Sequence, residues 1–218
     1  GGWCDYMVEL EFFKSMPEGI RKDAWFLTKV TMTGQERNPE TGRYPLLNWD
    51  DPATNQKHPY WKKNIESSDW VFNYDDGYYE TKGISSASGK TRMIFRYADI
   101  LLLYAEAVAY GTKSIDDLAF DCMWRVQERA GVPLISKDVT KEYFQKAVLD
   151  ERRWETAGME HSCMGRFFTM QRHEILHLQK NYRDAAELSL NPNLTLSEEF
   201  YYFPIPDNEL LIVPGLKD

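Results

Sequence analysis

Two textures of apolar and polar residues divide the chain near Lys90. Before it, alternation comes in short bursts between turn signals such as Met16-Pro17-Glu18-Gly19, Asn38-Pro39-Glu40-Thr41-Gly42, Asp50-Asp51-Pro52 and Asp75-Asp76-Gly77, and no stretch sustains a helical period. Trp25 to Thr33 alternates well enough to predict a strand, Arg92 to Arg96 predicts another, and Ile84 to Gly89 reads as a Ser/Gly loop. From Tyr97 onward apolar residues recur at spacings of three and four. Tyr97, Leu101, Tyr104 and Val108 form one line and Ile100, Leu103 and Ala107 its neighbour, which predicts a buried helix ending at Gly111.

A second helix is predicted from about Ile115, with Asp116 and Asp117 in its first turn, to Gly131 ahead of Pro133. It pairs antiparallel with the first across a short loop. Thr140 offers a hydroxyl N-cap for a third helix, which runs through Phe144, Val148 and Trp154 to Gly158, and a fourth covers roughly Gly165 to Asn181. Phe200 to Pro206 is an extended aromatic run in which Pro204 and Pro206 forbid a central strand, and a short helical turn follows from Asp207. The expected fold is mostly α, with helix pairs that suggest tetratricopeptide-like packing over residues 96–218 and an irregular, loop-rich and partly β segment over residues 1–95, together one structural domain. Ala98, Ala105 and Ala107 permit close helix approach, although a single pair shows no repeat period.

Composition narrows the function classes. A chain of 218 residues is long enough for a sizeable core, and 43% hydrophobic with 28% charged residues is a globular balance that excludes disorder. Lys plus Arg is 26 against 34 for Asp plus Glu, a net charge of −8, with no basic block to hold a polyanionic backbone, so no nucleic-acid partner is expected. The longest apolar run, Ile100 to Ala105, is hemmed by Asp99 and Glu106 and falls far short of the roughly 20 residues that cross a bilayer. Cys4, Cys122 and Cys163 have no C-x-x-C spacing and read as buried thiols. Gly1, Gly2 and Trp3 open the sequence without an initiator Met or a signal-peptide pattern, which reads as a mature or excised piece.

Several constellations could carry chemistry. Glu106, Arg129, Glu151, Arg152, Glu155 and Arg166 are charges on otherwise apolar helices, where such groups persist only when paired, so they are expected to face one another across the bundle and fix its register. Glu151 and Glu155 as an acid/base pair are disfavoured, because glycosidase carboxylates flank a bond from two sides of a cleft. His173-Glu174-Ile175-Leu176-His177 matches H-E-x-x-H, whose spacing on a helix would present two imidazoles to zinc. No third ligand stands at a familiar offset, so the two histidines are read as lying on the polar side of the fourth helix and no metal or other cofactor is expected. Asp75-Asp76-Gly77 and Asp50-Asp51 lack EF-hand spacing and read as turns. No Gly-rich phosphate loop occurs.

Aromatic density before the helices is the remaining feature, within a 14% aromatic share overall. Trp49, Tyr60, Trp61, Trp70, Tyr74 and Tyr78, with Tyr44, Phe72 and Tyr79, lie in turn-rich polar sequence where no period demands them. Flat rings suit the C–H faces of sugars, with neighbouring Asp, Asn and Lys for the hydroxyls. The first six are the candidate ligand-binding residues; the alternative is a satellite core under long loops.

Four runs in fixed order then resemble one family, the SusD/RagB-like outer-membrane nutrient-binding lipoproteins. Arg96-Tyr97-Ala98-Asp99-Ile100-Leu101-Leu102-Leu103-Tyr104-Ala105-Glu106-Ala107 is similar to its Arg-hydrophobic-Ala-acidic-x-Leu-Leu-x-Tyr-Ala-Glu-Ala helix. Arg129-Ala130-Gly131 resembles the end of a second helix, with Trp124 and Gln127 departing from the usual Asn and Arg. Ala147 to Glu155 resembles the E-R-R-x-E helix, and Arg166-Phe167-Phe168-Thr169-Met170-Gln171-Arg172 takes up the R-W-F-D-L-x-R pattern with Thr169 in place of Asp. Phe203-Pro204-Ile205-Pro206 with Glu209, then Pro214 to Lys217, is similar to the family's terminus. Pro17 to Ala24 resembles its D-P-R-x-x-x-T run more weakly.

The resemblance implies a non-enzymatic protein that binds an oligosaccharide at the outer-membrane surface and delivers it to a TonB-dependent SusC-like transporter. It also implies that the chain is the C-terminal portion of a longer protein whose N-terminal half and lipid anchor lie elsewhere; Cys4 has no lipobox before it and is not read as the lipidation site. The rival readings are a zinc-dependent hydrolase built on the His173 to His177 helix and a transporter-docking scaffold with no ligand site of its own.

Overall fold

Two short helices and then short strands of two to four residues open the described part of the chain, and long helices follow. The computed structural model of the protein describes residues 8–32, 34–54, 57–62, 70–73, 78–81, 93–158, 160–178, 183, 185–190, 204–213 and 215, and these are mostly helical. Helices α1 (Leu10–Ser15) and α2 (Ile20–Trp25) occupy a stretch in which the sequence shows no helical period. Six residues are too few to display one, and helices this short depend on tertiary packing. Phe12 of α1 is buried and Met16 closes the helix ahead of Pro17. Before α2, Gly19 lies so close to the end of the second long helix that a Cβ there would be 2.8 Å from the carbonyl oxygens of Ala130 and Gly131.

The expected strand over Trp25 to Thr33 forms in two pieces with different partners. Strand β1 (Phe26–Leu27) pairs antiparallel with β4 (Tyr60–Trp61), and β2 (Lys29–Thr31) pairs with β3 (Leu46–Asn48) in the register Lys29 to Asn48. Thr28 is the switch between them, its carbonyl accepting from the Trp49 N–H at 2.8 Å. Strands β5 (Trp70–Asn73) and β6 (Tyr78–Thr81) form a third antiparallel pair. The Asp75-Asp76-Gly77 turn, the Ile84 to Gly89 loop and Arg92 fall outside the described residues. Residues 93–96 are not a strand: Met93, Ile94 and Phe95 are exposed with no ladder beside them, and Arg96 instead starts a helix by donating its backbone N–H to Asp99 Oδ2 at 2.9 Å.

The helical region contains α3 (Tyr97–Tyr110), α4 (Asp117–Ala130), α5 (Lys141–Thr156), α6 (Glu160–Arg172), α7 (Ala185–Leu190) and α8 (Asp207–Ile212). Asp116 caps α4 by accepting from the Ala119 N–H at 2.8 Å, Gly131 ends it at φ +69°, and Thr140 caps α5 by accepting from the Tyr143 N–H at 3.2 Å. Helix α3 packs against both α4 and α5. Its buried face is not the one the spacing suggests. Ala98, Leu102, Ala105 and Ala109 are buried, whereas Tyr97 is 67% and Ile100 53% exposed and Leu101 and Val108 are half-buried. The helix is apolar nearly all round, so periodicity does not choose a face; the small side chains do, by letting α4 and α5 approach.

Two apolar clusters result. One joins the buried face of α3 to Phe120, Met123 and Val126 of α4 and to Phe144 and Val148 of α5, with Phe144 edge-on to Phe120 at 4.8 Å. The other joins Val8, Phe12, Met16 and Phe26 to Trp61, Trp154 and Ala157. A charge cluster also ties these helices together. Glu155 accepts from Arg96 Nη1 at 2.8 Å, from Arg21 Nη1 at 3.2 Å and from Arg129, while Glu151 pairs with Arg21, and Asp99 with Arg96 at 2.7 Å. Burial pushes the Glu151 carboxyl up from its ordinary range, against the pull of Arg21. The expected pairing of Arg129, Glu151 and Glu155 thus holds, with Arg21 and Arg96 as further partners.

Candidate ligand-binding site

Trp49 and Trp61 stand at the two ends of a run of rings. Trp49 follows β3 and meets Phe13 of α1 edge-on at 5.8 Å; Phe13 meets Phe26 at 5.2 Å, and Phe26 meets Trp61 of β4 at 5.1 Å. The Lys22 ammonium sits 4.5 Å from the Phe13 ring centre. Both tryptophans are half-buried, so each indole is braced by its neighbours while part of it meets solvent. Trp61 is further confined by Gly158, where a Cβ would come within 2.7 Å of its Cζ3. Phe13 and Phe26 were not singled out by the sequence, since each lies in an ordinary short amphipathic stretch, and the ladder register that unites them is tertiary.

Tyr60 is half-buried beside Trp61 in β4, opposite Leu27. Tyr78 belongs to a separate group. Its hydroxyl accepts the Tyr44 N–H at 3.1 Å, the Arg43 guanidinium lies 4.6 Å over its ring, and Arg37 lies 4.1 Å over Tyr44. That group is held by the loop between β2 and β3, where Asn38 Oδ1 accepts from the N–H groups of Glu40 and Thr41 at 2.8 and 3.0 Å. The backbone of Trp70 pairs with Thr81, while the Trp70 side chain and the whole of Tyr74 lie outside the described residues.

His173-Glu174-x-x-His177 is not a helical metal motif. Helix α6 stops at Arg172, earlier than the expected end at Asn181, and Glu174 turns the chain at φ +56°. His173 Nε2 and Arg172 Nη2 share Glu106 Oε1, at 2.8 and 2.6 Å, and Arg152 takes the other oxygen; His177 is exposed. Among the described residues no group of three His, Cys, Asp or Glu could hold a metal ion, and no helix is long and apolar enough to cross a membrane.

Burial, and then the positive charges of Arg172, Arg152 and Arg166, lower the His173 pKa below its ordinary 6.5. The Glu106 carboxylate faces the ring but is already matched by Arg152 and Arg172, and the Tyr110 ring packs at 4.0 Å. An imidazole that resists protonation when folded contributes stability that is present above about pH 6.5 and lost as the pH falls toward its folded value. The unfolding midpoint is therefore expected to drop from pH 7 to pH 5, and His173→Gln to flatten that drop. An unchanged slope in the variant would place the acid sensitivity on the carboxylates instead.

Comparison with known proteins supplies the context for this geometry. The family model described as the SusD family matches residues 14–218. The SusD-like protein P25 of Formosa agariphila is 28% identical over 130 residues, which cover 58% of this chain and 23% of that protein. The matched stretch is therefore about a quarter of that relative's length. A solved structure, a SusD superfamily protein from Bacteroides vulgatus, is similar at 19% identity and a TM-score of 0.49 over 94% of this chain and 41% of the other.

Proposed function

Because the chain belongs to the SusD family, we propose that it binds an oligosaccharide without transforming it, as part of a surface nutrient-uptake complex that passes the glycan to a TonB-dependent, SusC-like transporter. On the same reading the protein works at the outer-membrane surface, as lipoproteins of this family do. The observation that supports a ligand face in the aromatic loops is the braced pair Trp49 and Trp61. Rings already braced by neighbouring rings lose little freedom when a sugar stacks on them, so less of the stacking energy is spent on ordering. Trp70, Tyr60 and Tyr74 belong to the proposed site, and Tyr78, in its separate group with Tyr44 and Arg43, is an outlying part of it.

Stacking on one ring contributes on the order of 1 kcal/mol beyond general burial, so two or three rings place affinity in the micromolar to millimolar range. Trp49→Ala, Trp61→Ala and Trp70→Ala, titrated one at a time with the best ligand from a glycan screen, are each expected to weaken binding about tenfold. Circular dichroism checks that each variant folds. If all three bind as the parent does, the loop site is wrong. The helical half would be the other place to look, and its outward α3 face, with Tyr97, Ile100, Leu103, Tyr104 and Tyr110 exposed, fits packing against further parts of the longer protein better than it fits a sugar.

A further inference from the structure

A cleft of about 400 Å³ opens between the α4–α5 connection and the outer side of α5, well away in sequence from the aromatic loops. That volume falls within the usual range for small-molecule sites. One wall is the connection itself, fixed by Gln127 Oε1 accepting from the Ile135 N–H at 2.9 Å and by Trp124 Nε1 donating to the Ile135 carbonyl at 2.7 Å. It presents Pro133, Leu134 and Ser136. The other wall is a line along α5 in which Tyr143 and Trp154 flank Ala147 and Asp150. Eleven helical residues at roughly 1.5 Å each set Tyr143 and Trp154 about 16 Å apart along the helix axis, with the small Ala147 between them.

Charge on the lining is already compensated. Lys146 is bound to Asp150 at 2.7 Å, and Glu151 at the base belongs to the buried pair with Arg21. Among the described lining residues no bare cation or anion awaits an opposite charge. The lining therefore favours a neutral ligand that has apolar faces for two rings and hydroxyls for Ser136, Lys146 and Asp150.

We propose that this cleft is a second saccharide site, for a short neutral oligosaccharide, with the exposed Tyr143 ring as its stacking platform and the connection at Pro133–Ser136 as its rim. The proposal rests on the glycan-binding reading above but names a different place on the molecule. Tyr143 is 59% and Leu134 52% exposed, so truncating either leaves the core untouched. The test is calorimetric titration of the full chain with maltohexaose, cellohexaose, mannohexaose and xylohexaose, comparing the parent with Tyr143→Ala, Leu134→Ala and Trp49→Ala. Hydroxyl-radical footprinting of Tyr143, with and without each sugar, provides a second readout. The expected result is about tenfold weaker binding of at least one hexaose by Tyr143→Ala, protection of Tyr143 by that sugar, and retention of this component in Trp49→Ala. Parent-like binding by Tyr143→Ala and Leu134→Ala, with all binding lost in Trp49→Ala, overturns the cleft and leaves the loop site standing. If the parent binds none of the four hexaoses the cleft proposal falls as well, and the loop site is then judged by the wider screen alone.

Discussion

Replacing Glu155 by Ala is expected to destabilise the chain by about 3–5 kcal/mol, the usual cost of breaking a buried ion pair from one side. Glu155 is 1% exposed, and three arginines from three helices converge on it: Arg21 of α2, Arg129 of α4, and Arg96 at the start of α3. Among the described residues, removing it leaves those cations with Glu151 and Asp99 as carboxylate partners. Arg21 suffers most. It is 5% exposed, and its Nε and Nη2 already have no hydrogen-bond partner among the described residues, so no spare contact takes up the lost charge. For a chain of this size the shift in melting temperature is on the order of 10 °C. Glu155→Gln keeps the shape and some hydrogen bonds and is expected to lose less, with the same sign. The exposed Lys14–Glu11 pair is the control: at 53% and 41% side-chain exposure, its removal through Glu11→Ala is expected to stay within about 0.5 kcal/mol of the parent. A Glu155→Ala chain as stable as that control would mean that apolar packing alone holds α2, α3 and α4 against α5.

The sequence was most legible where one residue decides the local geometry. Gly131 ends α4 because Gly readily takes the left-handed position, and the Val132 N–H then reaches back to the Gln127 carbonyl at 3.1 Å. Helix α6 closes by the same arrangement, the Ile175 N–H bonding the Met170 carbonyl at 2.8 Å, but Glu174 holds the left-handed position. Nothing in the letters marks that stop. Arg172 and His173 both reach Glu106, and a straight helix through His177 would have to give up the turn that follows them. The H-E-x-x-H spacing therefore describes a helix that the fold does not make. Legibility also failed for the face of α3, which is apolar nearly all round, and for Arg21, which stands 130 residues from Glu151 and looks like any surface arginine beside Lys22 and Asp23. Among the candidate ligand residues the aromatic count could be read directly. The bracing of Trp49 and Trp61 through Phe13 and Phe26 could not, because it depends on which short strands pair.

Gly158→Ala is expected to cost about 2–4 kcal/mol and to disturb the proposed ligand face in the same step. Gly158 follows α5 at φ +67°, a conformation that costs a residue with a Cβ roughly 1–2 kcal/mol. The added methyl would also stand within 2.7 Å of Trp61 Cζ3, and neither neighbour can yield easily. The ring also packs against Phe26 at 5.1 Å, and overpacking of this kind typically costs a further 1–3 kcal/mol. Trp61 must therefore tilt outward or β4 must shift against β1. Either movement changes the solvent contact of the indole, so a change in tryptophan emission should accompany the loss of stability in urea unfolding. Glycan affinity separates the two contributions. If Trp61 is a stacking ring, Gly158→Ala weakens binding even under conditions where the variant remains folded. If Trp61 only seals the cluster with Val8, Phe12 and Met16, stability falls and affinity does not.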